Sequence, residues 1–328
     1  MDKILKTTWI YSPDTEVERV VHATRVAASG FYSRKGFLLS NNVIEEYPEL
    51  TVVIPNLGYN SIPHYWQRIE EVPLQLPMVV PEDLHRDVRT RLEQDCEIEK
   101  ILNQRRDEWD KIGAKWWSEM SHLLPDESEL INELEVRVSA FGTISSYSFL
   151  TKRKGQKLVI YIRADATSAH LVEAIMTALL YPSSAELGLT WSKREAIVDF
   201  YLTRKQIKLL LPGYRPTLTN LSRVPQHIRK QSQEYEELLG WPKSGINQEK
   251  YIIQLPSKEA EVARVLWSKR GELVSFDELA DLMWGEGEFG TFWAINKRVQ
   301  RIRKDLKKIG GEEVRIKTLR GRGYLWEI

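Results

Sequence analysis

Cationic and amide side chains gather in one short part of this sequence, between residues 295 and 324. These 30 residues contain 11 Lys or Arg and 3 Asp or Glu, which gives a net charge of +8. Such groups bind phosphates as cations and pair with base edges as hydrogen-bond donors or acceptors. A run of charge by itself more often marks a solvated surface, and that interpretation is the first alternative. The whole chain hides the asymmetry, because its 47 Lys and Arg nearly balance its 46 Asp and Glu.

The elements that would hold these groups form a unit of their own over residues 249–328. Apolar residues recur along its third predicted helix at spacings of three or four, which predicts one buried stripe with polar and basic residues on the other faces. Ser275 and Glu278 have the spacing of a capping box before the second helix, and Gly310 suits a left-handed cap after the third. The predicted elements are a strand over 251–255, helices over 257–270, 276–284 and 291–309, and strands over 314–318 and 323–326. The stripe consists of Ile295, Val299, Ile302, Leu306 and Ile309.

The end of the chain, VQRIRKDLKKIGGEEVRIKTLRGRGYLWEI, resembles the end of the OmpR/PhoB-type winged-helix DNA-binding domain. Upstream, GELVSFDELADLMWG is similar to the segment of that family that leads into its second helix. The resemblance covers about 80 of the 328 residues and implies a recognition helix over 291–309 and a wing tip over 320–323. The sequence departs from the family at Trp293, often Arg there, at Lys297-Arg298, often Val-His, and at Asp305, usually Lys.

The resemblance also implies roles for individual residues in binding double-stranded DNA. The candidates for base-edge contacts are Asn296, Lys297, Gln300 and Arg301. The candidates for phosphate or minor-groove contacts are Arg303, Lys304, Thr318, Arg320 and Arg322. Tyr324 is ambiguous, since a core position and a position beside a phosphate both suit it.

The N-terminal region, residues 1–90, lacks the acidic residues of a phospho-acceptor receiver, which commonly precedes such a domain. ILKTTWIYSPD offers one Asp where an acidic pair should follow the first strand, and TVVIPNLGYN has Pro-Asn where a phosphorylatable Asp should end a strand. These features disfavour a phosphorelay response regulator and leave the role of the region open.

A central α+β domain is predicted over residues 91–211, because three strand patterns are followed by two helical ones. Its strands are expected near 134–140, 145–150 and 157–162, and its helices over 168–180 and 192–211. A preceding helix over 95–122 carries Trp109, Trp116 and Trp117, which suit packing on their own domain better than a dimerisation surface.

LVIYIRADATSAHLVEAIMTALLYP, followed by LTWSKREAIVDFYL, resembles the active-site segment of small zincin-type metallopeptidases. The two His positions of that family hold Glu173 and Thr177, its general-base position holds Ala174, and Glu195 alone matches a ligand position. Zinc hydrolysis needs a full ligand set and a base for the bound water, so the resemblance implies a degenerate scaffold without metal or catalysis. The same residues are also consistent with an ordinary amphipathic helix, and this alternative stays open.

If the scaffold is real, its former cleft would bind a peptide or a small effector. The residues that would line it are Glu173, Thr177, Glu195 and Asp199. His170 lies three residues before the first ligand position and is expected to be a capping or surface histidine. Residues 212–248 are polar, with several prolines and glycines, and are predicted to be a linker with one short helix near 226–239.

Together these patterns predict a multi-domain α+β protein whose C-terminal winged helix-turn-helix binds specific DNA sequences, most simply as a transcriptional regulator without a cofactor. Its expected partners are double-stranded DNA, RNA polymerase or another regulator, and a second copy of itself. The single Cys96 excludes a disulfide framework within the chain, and no apolar run approaches the roughly 20 residues that span a bilayer, so a cytoplasmic location is expected. Two alternatives stay open, a metal-dependent hydrolase targeted to DNA by its winged helix and a winged helix that binds protein.

Overall fold

The computed structural model describes residues 5–92, 97–189, 191–211, 214, 224–241, 252, 255–269, 271–284, 291–308 and 316–326. The chain forms two compact units, Met1–Pro242 and Lys243–Ile328. The division between them falls inside the predicted linker. Each unit has helices and strands, in agreement with the predicted multi-domain α+β class. None of the described helices is long and apolar enough to cross a membrane.

A four-stranded sheet lies at the centre of the first unit, in the order β1-β4-β6-β5. Strands β1, β4 and β6 run parallel, and the short β5 is antiparallel to β6. A separate pair, β2 and β3, is also parallel. The strands are β1 (Lys6–Ile10), β2 (Leu38–Ser40), β3 (Thr51–Val53), β4 (Ile131–Ser139), β5 (Ser145–Tyr147) and β6 (Gln156–Arg163).

Helices cover both faces of this sheet, and β6 divides its side chains between two cores. Leu158, Ile160 and Ile162 pack in one core, which includes residues of α5, α7 and α8. Val159 and Tyr161 pack in the other, which includes residues of α1, α3 and α4. A strand buried on both faces has an almost continuous apolar sequence, which LVIYI at 158–162 illustrates. The helices are α1 (Pro13–Ala28), α2 (Phe31–Lys35), α3 (Tyr65–Glu71), α4 (Glu82–Arg89), α5 (Glu97–Leu123), α6 (Pro125–Ser128), α7 (Ser168–Glu186), α8 (Trp191–Leu202), α9 (Lys205–Leu210) and α10 (Gln226–Leu238).

The first unit extends across residue 90, where the sequence pattern suggests a division, because β1 pairs with β4. It also includes the short helix of the predicted linker, α10, which is present over almost the expected range. The amide of Leu39 donates to the hydroxyl of Ser232 on that helix at 2.7 Å, and the hydroxyl of Tyr235 donates to the carbonyl of Ile54 at 2.6 Å. The helix expected over 192–211 is two helices, α8 and α9.

The three tryptophans of α5 lie in the core of their own unit. Trp109, Trp116 and Trp117 are each less than 5% exposed and contact the sheet's apolar face. Their buried rings are therefore not accessible to a second copy of the chain, and the favoured prediction of packing within the domain is confirmed.

Among the described residues of the second unit are three helices and a three-stranded antiparallel sheet in the order β7-β9-β8. Its elements are α11 (Ser257–Ser268), β7 (Leu273–Ser275), α12 (Phe276–Trp284), α13 (Phe292–Lys308), β8 (Ile316–Leu319) and β9 (Gly323–Trp326). Four residues of the predicted stripe are buried in the core with Tyr324 and Trp326: Ile295, Val299, Ile302 and Leu306. The predicted cap at Gly310, the fifth stripe residue Ile309 and most of the predicted strand over 251–255 lie outside the described residues.

Candidate nucleic-acid interface

Helix α13 presents a row of polar and basic side chains opposite its buried stripe. Its N-terminus is capped by Thr291, whose hydroxyl accepts a hydrogen bond from the amide of Ala294 at 3.3 Å. The four stripe residues that the structure describes are each 1% exposed or less. Burial of that stripe against α11 and the sheet fixes which side of the helix faces water. The predicted contact residues on the exposed side are Asn296, Lys297, Gln300, Arg301 and Lys304.

The wing is the turn between β8 and β9, and it carries two arginines on a tight backbone. Arg320 is exposed, and Arg322 is half-buried. Gly321 between them has a φ of +72°, which only glycine adopts without strain. The carbonyl of Arg322 accepts a hydrogen bond from the amide of Phe276 at 3.3 Å, so the wing is attached to the start of α12. The turn therefore holds Arg320 at a tip that is open to solvent.

Arg303 connects the exposed side of α13 to the wing. Its Nε donates to the carbonyl of Ile316 at 2.9 Å, and its Nη2 donates to the hydroxyl of Thr318 at 2.9 Å. Nη2 also donates to the same carbonyl of Ile316. Two of the three guanidinium nitrogens are therefore used inside the domain. Within the described part of this unit, Nη1 of Arg303 and the hydroxyl proton of Thr318 are not used in hydrogen bonds, which leaves both for a phosphate.

Tyr324 lies in the core and reaches the exposed side of α13 only through its hydroxyl. The residue is fully buried, and its ring meets that of Phe276 edge to face at 5.5 Å. Its hydroxyl donates a hydrogen bond to Oδ1 of Asn296. Burial raises the pKa of Tyr324 above its ordinary value, so the phenol is protonated at neutral pH. Of the two positions that the sequence left open for Tyr324, the structure shows the core position.

Trp293 is the feature of this surface that the sequence pattern marks only as a departure from the family. Its side chain is 68% exposed on the first turn of α13. The Nζ of Lys297 lies 4.6 Å from the centre of the ring, one helical turn away, in a cation–π contact. An indole this exposed offers a flat apolar surface beside the base-edge candidates, and its position next to Lys297 follows from the i, i+4 spacing.

Helix α12 begins after Ser275, as predicted, and it shows one of the two hydrogen bonds of a capping box. The hydroxyl of Ser275 accepts a hydrogen bond from the amide of Glu278 at 3.1 Å. The carboxylate of Glu278 forms an ion pair with Lys269. The Ser275 half of the capping box is therefore confirmed, while the Glu278 carboxylate contacts a lysine that follows α11.

In the first unit, the four residues predicted to line a cleft come together between α7 and α8. The hydroxyl of Thr177 donates to Glu195 at 3.4 Å, and the hydroxyl of Tyr214 donates to Asp199 at 2.7 Å. Burial raises the pKa of Glu195 to about 7 and raises the pKa of Asp199 as well. Burial, followed by the negative charge of Glu173, raises the pKa of Tyr214. These residues thus form a partly buried acidic cluster around the phenol of Tyr214.

Among the residues that the structure describes, no three His, Cys, Asp or Glu side chains are placed to hold a metal ion. His170 caps α7, since its Nδ1 accepts a hydrogen bond from the amide of Thr167 at 3.0 Å. The expectation of a capping histidine is confirmed. Arg194 lies beside the cluster, with Nε 4.0 Å from a carboxylate oxygen of Glu195 and its guanidinium over the ring of Tyr181.

Comparison with known proteins agrees with the resemblance of the C-terminal unit. Residues 248–326 match the family described as "Transcriptional regulatory protein, C terminal". Over 77 residues, 24% of this chain, the sequence is 30% identical to Sensory transduction protein RegX3 of Mycobacterium leprae (strain TN). The chain covers 39% of the length of that relative. No solved structure matches the chain. The second unit is therefore an OmpR/PhoB-type DNA-binding domain with the winged-helix elements described above.

Proposed function

We propose that this chain is a transcriptional regulator that binds specific sequences of double-stranded DNA. The observation that carries the proposal is the exposed row of amide and basic side chains on α13, opposite a stripe buried in the core. A helix of this kind fits the major groove, where each base pair presents a distinct pattern of donors and acceptors. The family of the second unit supports the same use.

Contacts to base edges and contacts to phosphates are assigned to different residues of the interface. We assign base edges to Asn296, Lys297, Gln300 and Arg301, which lie within the first ten residues of α13. Phosphate and minor-groove contacts belong to five other residues of the interface: Arg303, Lys304, Thr318, Arg320 and Arg322. Phosphate contacts release counterions and are the same for every sequence, so they supply affinity and make it depend on salt.

The salt dependence of DNA binding tests this division directly. Arg320 and Arg322 are replaced together by alanine, and the affinity of the full chain for duplex DNA is measured by fluorescence anisotropy at several salt concentrations. The slope of log K against log[salt] should become shallower by about 2, since each lost phosphate contact removes about one counterion. Lys208→Ala is the control, because Lys208 is an exposed cation on α9 of the first unit. An unchanged slope in the double variant would refute the proposed role of the wing.

The first unit is proposed to sense an effector, and its acidic cluster is the candidate site. Glu173, Thr177, Glu195 and Asp199 gather around Tyr214, which stands in the chain between α9 and the second unit. We infer no catalytic role for them, because a threonine and an alanine occupy a ligand position and the general-base position of the zincin pattern. Metal analysis tests this point. Stoichiometric zinc that disappears in Glu195→Ala would overturn the non-enzymatic interpretation and favour the metal-dependent hydrolase.

Partners other than DNA follow from the proposed function. We infer that the chain acts in the cytoplasm, where its DNA target would lie. Its protein partner would be RNA polymerase or another regulator. Self-association remains a prediction, and the buried tryptophans of α5 would not be its contact surface. A gel shift against random duplex separates this proposal from the protein-binding use of the winged helix, which predicts no shift at any salt concentration.

A further inference from the structure

Asn296 lies on the exposed side of α13, yet its amide oxygen faces the protein. The hydroxyl of Tyr324 donates a hydrogen bond to this oxygen. The ring of Tyr324 is fully buried, with Phe276 edge-on at 5.5 Å and the guanidinium of Arg303 at 5.8 Å from its centre. A phenol held in this way has a fixed hydroxyl, and its proton needs an acceptor. The orientation of the Asn296 amide is therefore set by the core of the domain.

The orientation decides which end of the amide can meet DNA. An asparagine amide accepts hydrogen bonds at Oδ1 and donates two at Nδ2. Within the described part of the second unit, no group accepts a hydrogen bond from the Nδ2 of Asn296. The paired contact to adenine requires the oxygen and the nitrogen together at the base edge, with the oxygen accepting from the N6 amino group. With Oδ1 directed to Tyr324, the outward end of Asn296 is a donor.

We propose that Asn296 reads DNA as a hydrogen-bond donor and prefers guanine, the base with two acceptors in the major groove, over thymine, adenine and cytosine. Guanine presents O6 and N7 as acceptors, and thymine presents O4. Adenine presents a single acceptor, N7, beside its N6 amino group, and cytosine presents only its N4 amino group, so each offers the Nδ2 protons of Asn296 fewer acceptors than guanine does. The inference rests on the proposed function, since only a chain that binds duplex DNA has a base edge to read.

Two substitutions separate the donor from the group that orients it. Asn296→Asp keeps the shape and keeps an oxygen for the hydroxyl of Tyr324, but it replaces the outward donor by an acceptor. Its preferred base should change from guanine to cytosine, whose N4 amino group carboxylates accept. Tyr324→Phe removes only the hydroxyl and releases Oδ1, so adenine should become acceptable. Gln300→Ala, one turn further along α13, is the control for a general loss of base reading.

The experiment uses the full chain and a library of duplexes with a randomised centre. Bound duplexes are sequenced, and affinities are then measured for single-base variants of the best sequence. The wild-type chain should show one position at which guanine is preferred over adenine by about tenfold, a typical discrimination for one good base contact. Asn296→Asp should prefer cytosine at that position by a similar factor. Tyr324→Phe should reduce the preference for guanine over adenine to less than about threefold, a loss of most of that contact.

Each outcome bears on the inference or on the function beneath it. Enrichment of the same motif by the wild-type chain and by Asn296→Asp would overturn the inference and leave DNA binding intact. The same holds if the position that changes in Asn296→Asp is adenine in the wild-type motif. A wild-type chain that enriches no sequence would refute the proposed function and the inference together. Circular dichroism checks the folding of Tyr324→Phe. If Tyr324→Phe does not fold, Asn296→Asp decides the question alone, because Asn296 is exposed and its replacement leaves the core unchanged.

Discussion

Gly323, the first residue of β9, allows β9 to approach β7 more closely than any side chain at this position would permit. Its φ of +148° is an angle that residues with a side chain rarely adopt. A Cβ atom at this position would lie 2.0 Å from the carbonyl oxygen of Val274 and 2.9 Å from the Cα of Ser275. Both contacts are with the backbone of β7, so no side-chain rotation relieves them. Gly323→Ala should therefore force β7 and β9 apart.

The expected cost can be worked out against a matched substitution two residues away. The strained backbone contributes about 1–3 kcal/mol, and each pairing hydrogen bond lost between β7 and β9 contributes about 1 kcal/mol, which gives about 3–5 kcal/mol for Gly323→Ala. Gly321 has a φ of +72°, and a Cβ there meets nothing within 4 Å. Gly321→Ala should thus cost only the left-handed backbone, about 1–2 kcal/mol. A typical domain is stable by about 5–15 kcal/mol, so the first variant is close to the limit of folding.

Hydrogen exchange followed by mass spectrometry measures this effect within the full chain. Amides of β7 and β9 should lose protection by about 100-fold in Gly323→Ala, the equivalent of about 3 kcal/mol, and by at most about 20-fold in Gly321→Ala. Peptides from α7 in the first unit serve as the internal control and should not change. Equal protection of β9 in the two variants would refute the close approach of Gly323 to Val274 and the reasoning built on it.

Three further predictions follow from buried charges. Burial raises the pKa of Glu195 to about 7 from 4.5. Protonated Glu195 therefore contributes its full stabilisation below pH 4.5, and this stabilisation is lost as the pH rises to about 7. In Glu195→Gln the decrease in the free energy of unfolding over this range should be smaller by about 3 kcal/mol, as measured by urea denaturation. Arg303→Lys loses the paired contacts to Ile316 and Thr318 and should weaken DNA binding about tenfold at every sequence, measured by anisotropy. Arg19, fully buried, donates to the carbonyls of Phe141 and Thr143; Arg19→Met should destabilise the first unit by about 3–5 kcal/mol in thermal unfolding.

The spacing of apolar residues was enough to predict how α13 is oriented, because burial of one stripe decides what the other faces do. Ile295, Val299 and Ile302 are in the core, and the four candidates for base-edge contacts between them are exposed, as the pattern predicts. The same local rule predicts the bounds of α12 without error. It misses β7, which has three residues and pairs with β9. Periodicity needs several repeats before it can be recognised, and a three-residue strand has none.

Long-range pairing and helix breaks account for the other differences. Lys6 of β1 pairs with Glu133 of β4, and no local pattern indicates which strands of a chain will be neighbours. The predicted helix over 192–211 ends early at Leu202, although no proline or glycine marks the break. The hydroxyl of Thr203 donates to the carbonyl of Asp199 at 2.7 Å, a contact by which threonine competes with the helical backbone. Such competition cannot be recognised from composition.

Some of the polar and basic residues that first indicated the interface form hydrogen bonds within the domain. Arg303 directs two of its nitrogens to β8, and Tyr324 of β9 directs its hydroxyl to Asn296 on α13. A count of Lys and Arg therefore overstates the number of groups available to phosphates. These two contacts join the base-reading helix to both strands of the wing, so that a shift of the wing on a phosphate would move the amide of Asn296. Base preference and wing contact should accordingly be coupled, and a double substitution of Arg303 and Asn296 should lose less binding than the two single losses added together.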